Sequence, residues 1–163
     1  MSEASQVRPA WSEPFIGEAV AELERAARLD RLDREWAFAG ATGAGVTVAI
    51  IDSGIEADHP AVSGRVREQV VVELHDGDPV VVDDGSGDLF GHGTACGGLI
   101  TDLAPDVELV SVRVLGSDLK GRGAAFLGGL EWAIEREVDV VNLSLSSRSE
   151  VLFADFHEVR TCA

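Results

Sequence analysis

Positive charge is scarce in this chain. Lys and Arg number 13 against 29 Asp and Glu, a formal net charge of −16. Such a balance repels phosphate backbones and anionic lipid, so neither nucleic acid nor a membrane surface is expected as a partner. No apolar run approaches the roughly 20 residues that a membrane helix needs. The opening segment Met1–Ala10 lacks the apolar core of a secretion signal. The two cysteines, Cys96 and Cys162, do not form a disulfide framework. These absences predict a soluble, cytoplasmic protein. Apolar residues, by contrast, make up 45% of the 163. That is enough for one domain with a core of its own, and it is not the composition of a disordered chain.

The stretch around which the rest is organised is Val46–Gly54, Val-Thr-Val-Ala-Ile-Ile-Asp-Ser-Gly. A short β-branched run bounded by turn residues suits a strand buried on both faces, as in a parallel sheet. Function in such sheets gathers at the carboxyl ends of the strands, and Asp52 lies there.

Further strands are expected over Gln69–Leu74, Leu109–Val114 and Val138–Leu145, with a short one at Val80–Val82. Helical spacing follows His92 through Cys96, Leu99, Ile100 and Leu103 until Pro105 ends it, and a second helix is read over Ala124–Glu137. Val151–Val159 begins another. Near the N-terminus, Ser12 caps a helix with an apolar stripe at Ile16, Val20, Leu23 and Ala27, and a short helix runs over Leu32–Phe38. Residues 1–38 are thus read as a helical extension: either a pro-region that blocks a cleft or a helix packed on the domain. The glycines Gly40, Gly43 and Gly45 precede a strand instead of following one, so they form a turn, not a phosphate loop. Trp36 and Trp132 are assigned to the core. The alternation of helices and strands predicts an α/β fold, a largely parallel sheet flanked by helices.

Asp52 at a strand end and His92 at a helix start can meet across such a sheet. A buried carboxylate that accepts from an imidazole fixes its tautomer, leaving the other ring nitrogen to act as a base. Residues 75–91 carry Asp76, Asp78, Asp83, Asp84 and Asp88. Such oxygen ligands suit calcium, but the reading taken is a solvated loop with no cofactor, in which Asp88 bonds backbone near His92. Cys96 is read as a small hydrophobe under the imidazole.

The wording around these residues is more specific than their types. Val-Ala-Ile-Ile-Asp52-Ser-Gly-Ile-Glu-Ala-Asp-His-Pro resembles the aspartate motif of the subtilisin-like serine proteases, the subtilases. Gly91-His92-Gly-Thr-Ala-Cys-Gly-Gly resembles their histidine motif, and Val140-Val-Asn-Leu-Ser-Leu145 is similar to a segment of their substrate cleft. The resemblance covers roughly residues 36–150 and makes 39–163 a partial subtilisin-like peptidase domain. It implies that Asp52 and His92 are catalytic, within an Asp-His-Ser triad that hydrolyses peptide bonds. It implies further that Lys120, Gly121, Arg122 and Gly123 align the substrate backbone, and that Leu143, Ser144, Leu145 and Ser146 line the specificity pocket. Ser146 and Ser147 stand where the family usually carries glycines.

In that family the nucleophile lies in a Gly-Thr-Ser-x-Ala segment, and no such segment occurs here. The expectation is an Asp–His pair without its serine, inactive alone, with a peptide or protein substrate. Its partner would be a missing C-terminal half or a complete homologue. The alternative is a non-catalytic module that holds an extended peptide in the same cleft. A phosphoryl-transfer reading of Ile-Asp52-Ser-Gly has no lysine-bearing phosphate loop to support it.

Overall fold

The computed structural model describes residues 33–62 and 64–146, together with Leu152 and Phe156. The chain divides into two units, Met1–Gly40 and Ala41–Ala163. In the first, the described helix α1 is Arg34–Phe38, and the Asp33 carboxylate caps it by accepting from Trp36 N–H at 2.9 Å. The helix expected from Ser12, and with it the pro-region reading, lies outside the described residues. Trp36 is not a core residue: it is 56% exposed. A short helix has few positions to bury, and burial is decided by partners that a single residue's identity does not reveal.

The second unit holds a five-stranded sheet in the order β3-β2-β4-β1-β5. The strands are β1 (Thr47–Asp52), β2 (Val66–His75), β3 (Asp78–Asp83), β4 (Glu108–Arg113) and β5 (Val140–Asn142). Helix α2 (His92–Leu103) precedes β4, and α3 (Gly123–Glu135) precedes β5. β1 pairs in parallel with β4 and β5, and β2 with β4; β3 alone runs antiparallel, joined to β2 by a hairpin. A link that short cannot cross over to make a parallel pair, so the sheet is mostly rather than wholly parallel.

The β-branched run of β1 is buried on both faces because alternate residues point to opposite sides. Ala49 and Ile51 enter a core with Val110, Val112 and the α3 residues Ala125, Leu130 and Ala133. Val48 and Ile50 enter a second core with Leu109 and Val62, against which Cys96 and Ile100 of α2 pack. Each fully buried isoleucine contributes about 1.5–3 kcal/mol. The result is three layers, with α3 on one face of the sheet and α2 on the other.

Three strands differ in extent from the expectation: β3, expected at Val80–Val82, spans Asp78–Asp83, and β2 and β5 differ as well. β2 starts three residues sooner, with an irregularity between Val66 and Glu68 where it joins β4. β5 covers only Val140–Asn142 of the apolar run, because its ladder with β1 spans Val48–Ile50. Trp132 does pack against the α3-side core, with the Arg136 guanidinium 5.1 Å above its ring. Of the helix expected over Val151–Val159, Leu152 and Phe156 are helical, and the rest lies outside the described residues.

Candidate active site

β1 ends on Asp52, whose side chain is wholly buried, and α2 starts on His92. Backbone packs closely around the strand end, and this packing requires glycine twice. Gly54 has a φ of +103°, and a Cβ there would strike the Gly87 carbonyl. A Cβ on Gly93 would strike the Gly54 carbonyl oxygen and crowd Asp52. Gly54 thus makes room for the backbone of Gly87 and Asp88, and Gly93 lets the helix start sit directly on the backbone after the strand.

His92 Nδ1 then lies 2.8 Å from both Oδ1 and Oδ2 of Asp52. An ionised carboxylate only accepts, so this bond places a proton on Nδ1 and leaves Nε2 as the basic nitrogen. Asp52 Oδ1 also accepts from Ser53 N–H at 2.7 Å. Asp52 is sealed from solvent while the His92 side chain is 37% exposed. One member of the pair is reachable from outside and the other is not.

Asp88 stands behind this pair. Its Oδ1 accepts from Ser53 Oγ at 2.8 Å, Phe90 N–H at 3.0 Å and Gly91 N–H at 2.7 Å. Its Oδ2 accepts from the N–H and the hydroxyl of Thr94. Burial pushes the Asp88 carboxyl up, but these hydrogen bonds outweigh it and hold the group at about 2. The sequence pointed to Asp88 bonding backbone near the histidine. It gave no sign that Ser53 and Thr94 share the same carboxylate, since a hydroxyl's partner is set by tertiary placement.

Asp84 is committed to Arg113, at 2.7 and 3.0 Å, and it also takes the N–H of Ser86. Burial raises the Asp84 carboxyl, yet the bonds from Arg113 and Ser86 bring it below its ordinary value. Asp76 and Asp78 belong to the β2–β3 hairpin. Among the described residues, the donors that converge are those of Asp52, His92 and Cys96, all within 4.8 Å of one another. Cys96 Sγ lies 4.0 Å from His92 Nδ1, one helical turn on.

His92 borders a cleft of about 450 Å³. Lys120, Gly121, Arg122 and Gly123 line it from the α3 approach, and Ser144, Leu145 and Ser146 line it from the segment after β5. Leu143 is the exception: it packs against the α3-side core instead. Leu145, two residues on, packs against that core as well as lining the cleft. Leu119 and Phe126 also line the cleft, though sequence reading had not assigned them to it. Among the described residues, no serine hydroxyl bonds the imidazole.

A family model described as the subtilase family matches residues 43–160. The chain belongs to the subtilases. Similar curated proteins include an intracellular serine protease of Paenibacillus polymyxa, 31% identical over 71% of this chain and 37% of the relative. Subtilisin BL of Lederbergia lenta is 39% identical over 68% of this chain and 40% of its own length. The crystal structure of a lanthipeptide protease superposes with a TM-score of 0.60 and 28% identity, over 77% of this chain and 38% of that one. This subtilase therefore spans about two fifths of the length of these relatives. The matched region runs from the turn before β1 past β5, so both elements that carry Asp52 and His92 lie within it.

Proposed function

We propose that this chain supplies the base, its orienting carboxylate and the peptide cleft of a subtilase serine peptidase. The carrying observation is His92 Nδ1 at 2.8 Å from both oxygens of a sealed Asp52, at the edge of the cleft. In this reading Asp52 holds the ring and stabilises its cation. His92 takes a proton from a serine hydroxyl, which attacks the peptide carbonyl to give an acyl-enzyme that water cleaves. Arg122 is extended, with φ −96° and ψ 145°. That supports Lys120–Gly123 as an edge on which a peptide lies as an added strand. Ser144–Ser146 receive the side chain before the scissile bond.

In this reading the nucleophile is a serine other than those described beside the pair, none of which bonds the imidazole. Ser53 Oγ is bonded to Asp88, and Ser144 Oγ shares a contact with Asn142. No Gly-Thr-Ser-x-Ala occurs in the 163 residues. By itself the chain is therefore read as holding peptide without cutting it, which is the second reading. Both walls of the cleft being in place favours it.

The test replaces the matched segment of Subtilisin BL with residues 43–146 of this chain. The chimera is expected to hydrolyse a peptide anilide. His92→Ala in it costs on the order of 10⁶-fold in kcat and Asp52→Ala on the order of 10⁴-fold, the magnitudes found for subtilisin itself. The unmodified 163-residue chain should remain unlabelled by a fluorophosphonate. A folded chimera indifferent to His92→Ala, or labelling of the chain alone, contradicts the proposal.

A further inference from the structure

Asp52 and His92 are 40 residues apart and sit on different elements, so their 2.8 Å contact depends on whatever fixes β1 against the start of α2. Glycine packing lets these ends approach but does not hold them there. One side chain bonds to both. Asp88 takes the Ser53 hydroxyl, next to Asp52, on Oδ1. It takes the backbone N–H groups of Phe90 and Gly91, just before His92, on the same oxygen. On Oδ2 it takes both donors of Thr94, inside the first turn of α2. The residue at the capping position just before that helix, Gly91, has no side chain with which to cap it. Ser53 Oγ accepts in turn from Gly93 N–H at 3.2 Å, so strand end, carboxylate and helix start close into one ring of bonds.

We propose that Asp88 is a positioning residue for the Asp52–His92 pair, clamping the strand end to the helix start so that ring and carboxylate keep their bond. The inference rests on the reading of that pair as the catalytic base and its orienter. Asp88 touches neither ring nor carboxylate and acts through Ser53, Gly91 and Thr94. Its lowered pKa keeps it ionised and a pure acceptor throughout the neutral range, which all five donors require. A carboxamide offers one oxygen and places an N–H₂ against another donor, so Asp88→Asn breaks one arm of the clamp while changing little in volume.

The experiment uses the full 163-residue chain with ¹⁵N-labelled histidine, and reads the downfield Nδ1 proton of His92 together with thermal unfolding. In the wild type the proton is expected to be present and slow to exchange with water. In Asp88→Asn and Asp88→Ala it is lost or broadened away while the rest of the spectrum stays folded. Ser53→Ala, which cuts the strand arm and with it the bond from Gly93 N–H but leaves the bonds of Asp88 to Phe90, Gly91 and Thr94, shifts it partway and serves if the Asp88 variants do not fold. Asp84→Asn breaks the Arg113 ion pair instead; it lowers the unfolding temperature and leaves the His92 signal in place.

Asp88 variants that unfold earlier but keep the wild-type His92 signal would make Asp88 a plain cap and overturn the proposal. So would a signal untouched by Ser53→Ala in the case where the Asp88 variants do not fold. A wild-type chain without the signal fails at the earlier step, because there is then no Asp52–His92 bond to position.

Discussion

At Asp88 the chain sets hydrogen bonding against desolvation, and hydrogen bonding wins. Burial pushes the carboxyl up; the Thr94 hydroxyl and the N–H groups of Gly91, Phe90 and Thr94 pull it from 3.8 to about 2. A folded value below the unfolded one means that the ionised form favours folding. The contribution is complete above about pH 4 and is lost as pH falls through about 2. Asp88→Asn should therefore be less stable than wild type at pH 7 by about 1–2 kcal/mol, after allowance for its part-exposed position. The gap should close when urea unfolding is followed down to pH 2; a gap that persists there would assign the loss to shape instead of charge. Residues differed in how far the sequence disclosed them. Asp52 and His92 were legible because their neighbours admit few alternatives: a β-branched strand before one, glycines on both sides of the other. Trp36 was misjudged because an aromatic's burial depends on what packs over it, and its neighbours in sequence do not carry that information.

Elements, unlike residues, are joined here by what is absent. Gly93 allows the helix start to touch the backbone that follows β1, and Gly54 admits the Gly87 carbonyl beside it. In Gly93→Ala the new methyl meets the Gly54 carbonyl, so α2 must lift from β1. The expected cost is about 1–3 kcal/mol, as for other overpacked sites. The His92–Asp52 bond should go with it, read as loss of the downfield Nδ1 proton in a chain that still unfolds cooperatively. Retention of both the stability and the proton would show that the two ends are looser than the contact implies. Element types were legible from period and length, because strands buried on both faces read as unbroken apolar runs. Their extents were not. β5 stops at Asn142 although the apolar pattern continues, since a strand lasts only as long as its neighbour's ladder. The direction of β3 depended on a hairpin whose two arms the sequence had marked only in part.

At the scale of the whole chain, the net charge is −16, and the three layers of the second unit bring Asp52 and His92 together at one rim of its sheet. The family, the sheet type and the rim were readable from two motifs in order. The cleft was readable only through the resemblance, because Lys120–Gly123 and Ser144–Ser146 become neighbours of His92 by folding and not by spacing. Among the described residues, no helix is long and apolar enough to cross a membrane. On the proposed function, the net charge of −16 favours basic or neutral peptides over acidic ones. The claim on which the function depends is the bond between a sealed carboxylate and a half-exposed imidazole. Histidine-selective ¹⁵N spectra of Asp52→Ala beside the wild type and Cys96→Ser test it most directly. The predicted result is a His92 ring protonated on Nδ1 in the wild type and in Cys96→Ser, with its downfield proton gone in Asp52→Ala. A ring protonated on Nε2, or a signal indifferent to Asp52→Ala, would contradict it.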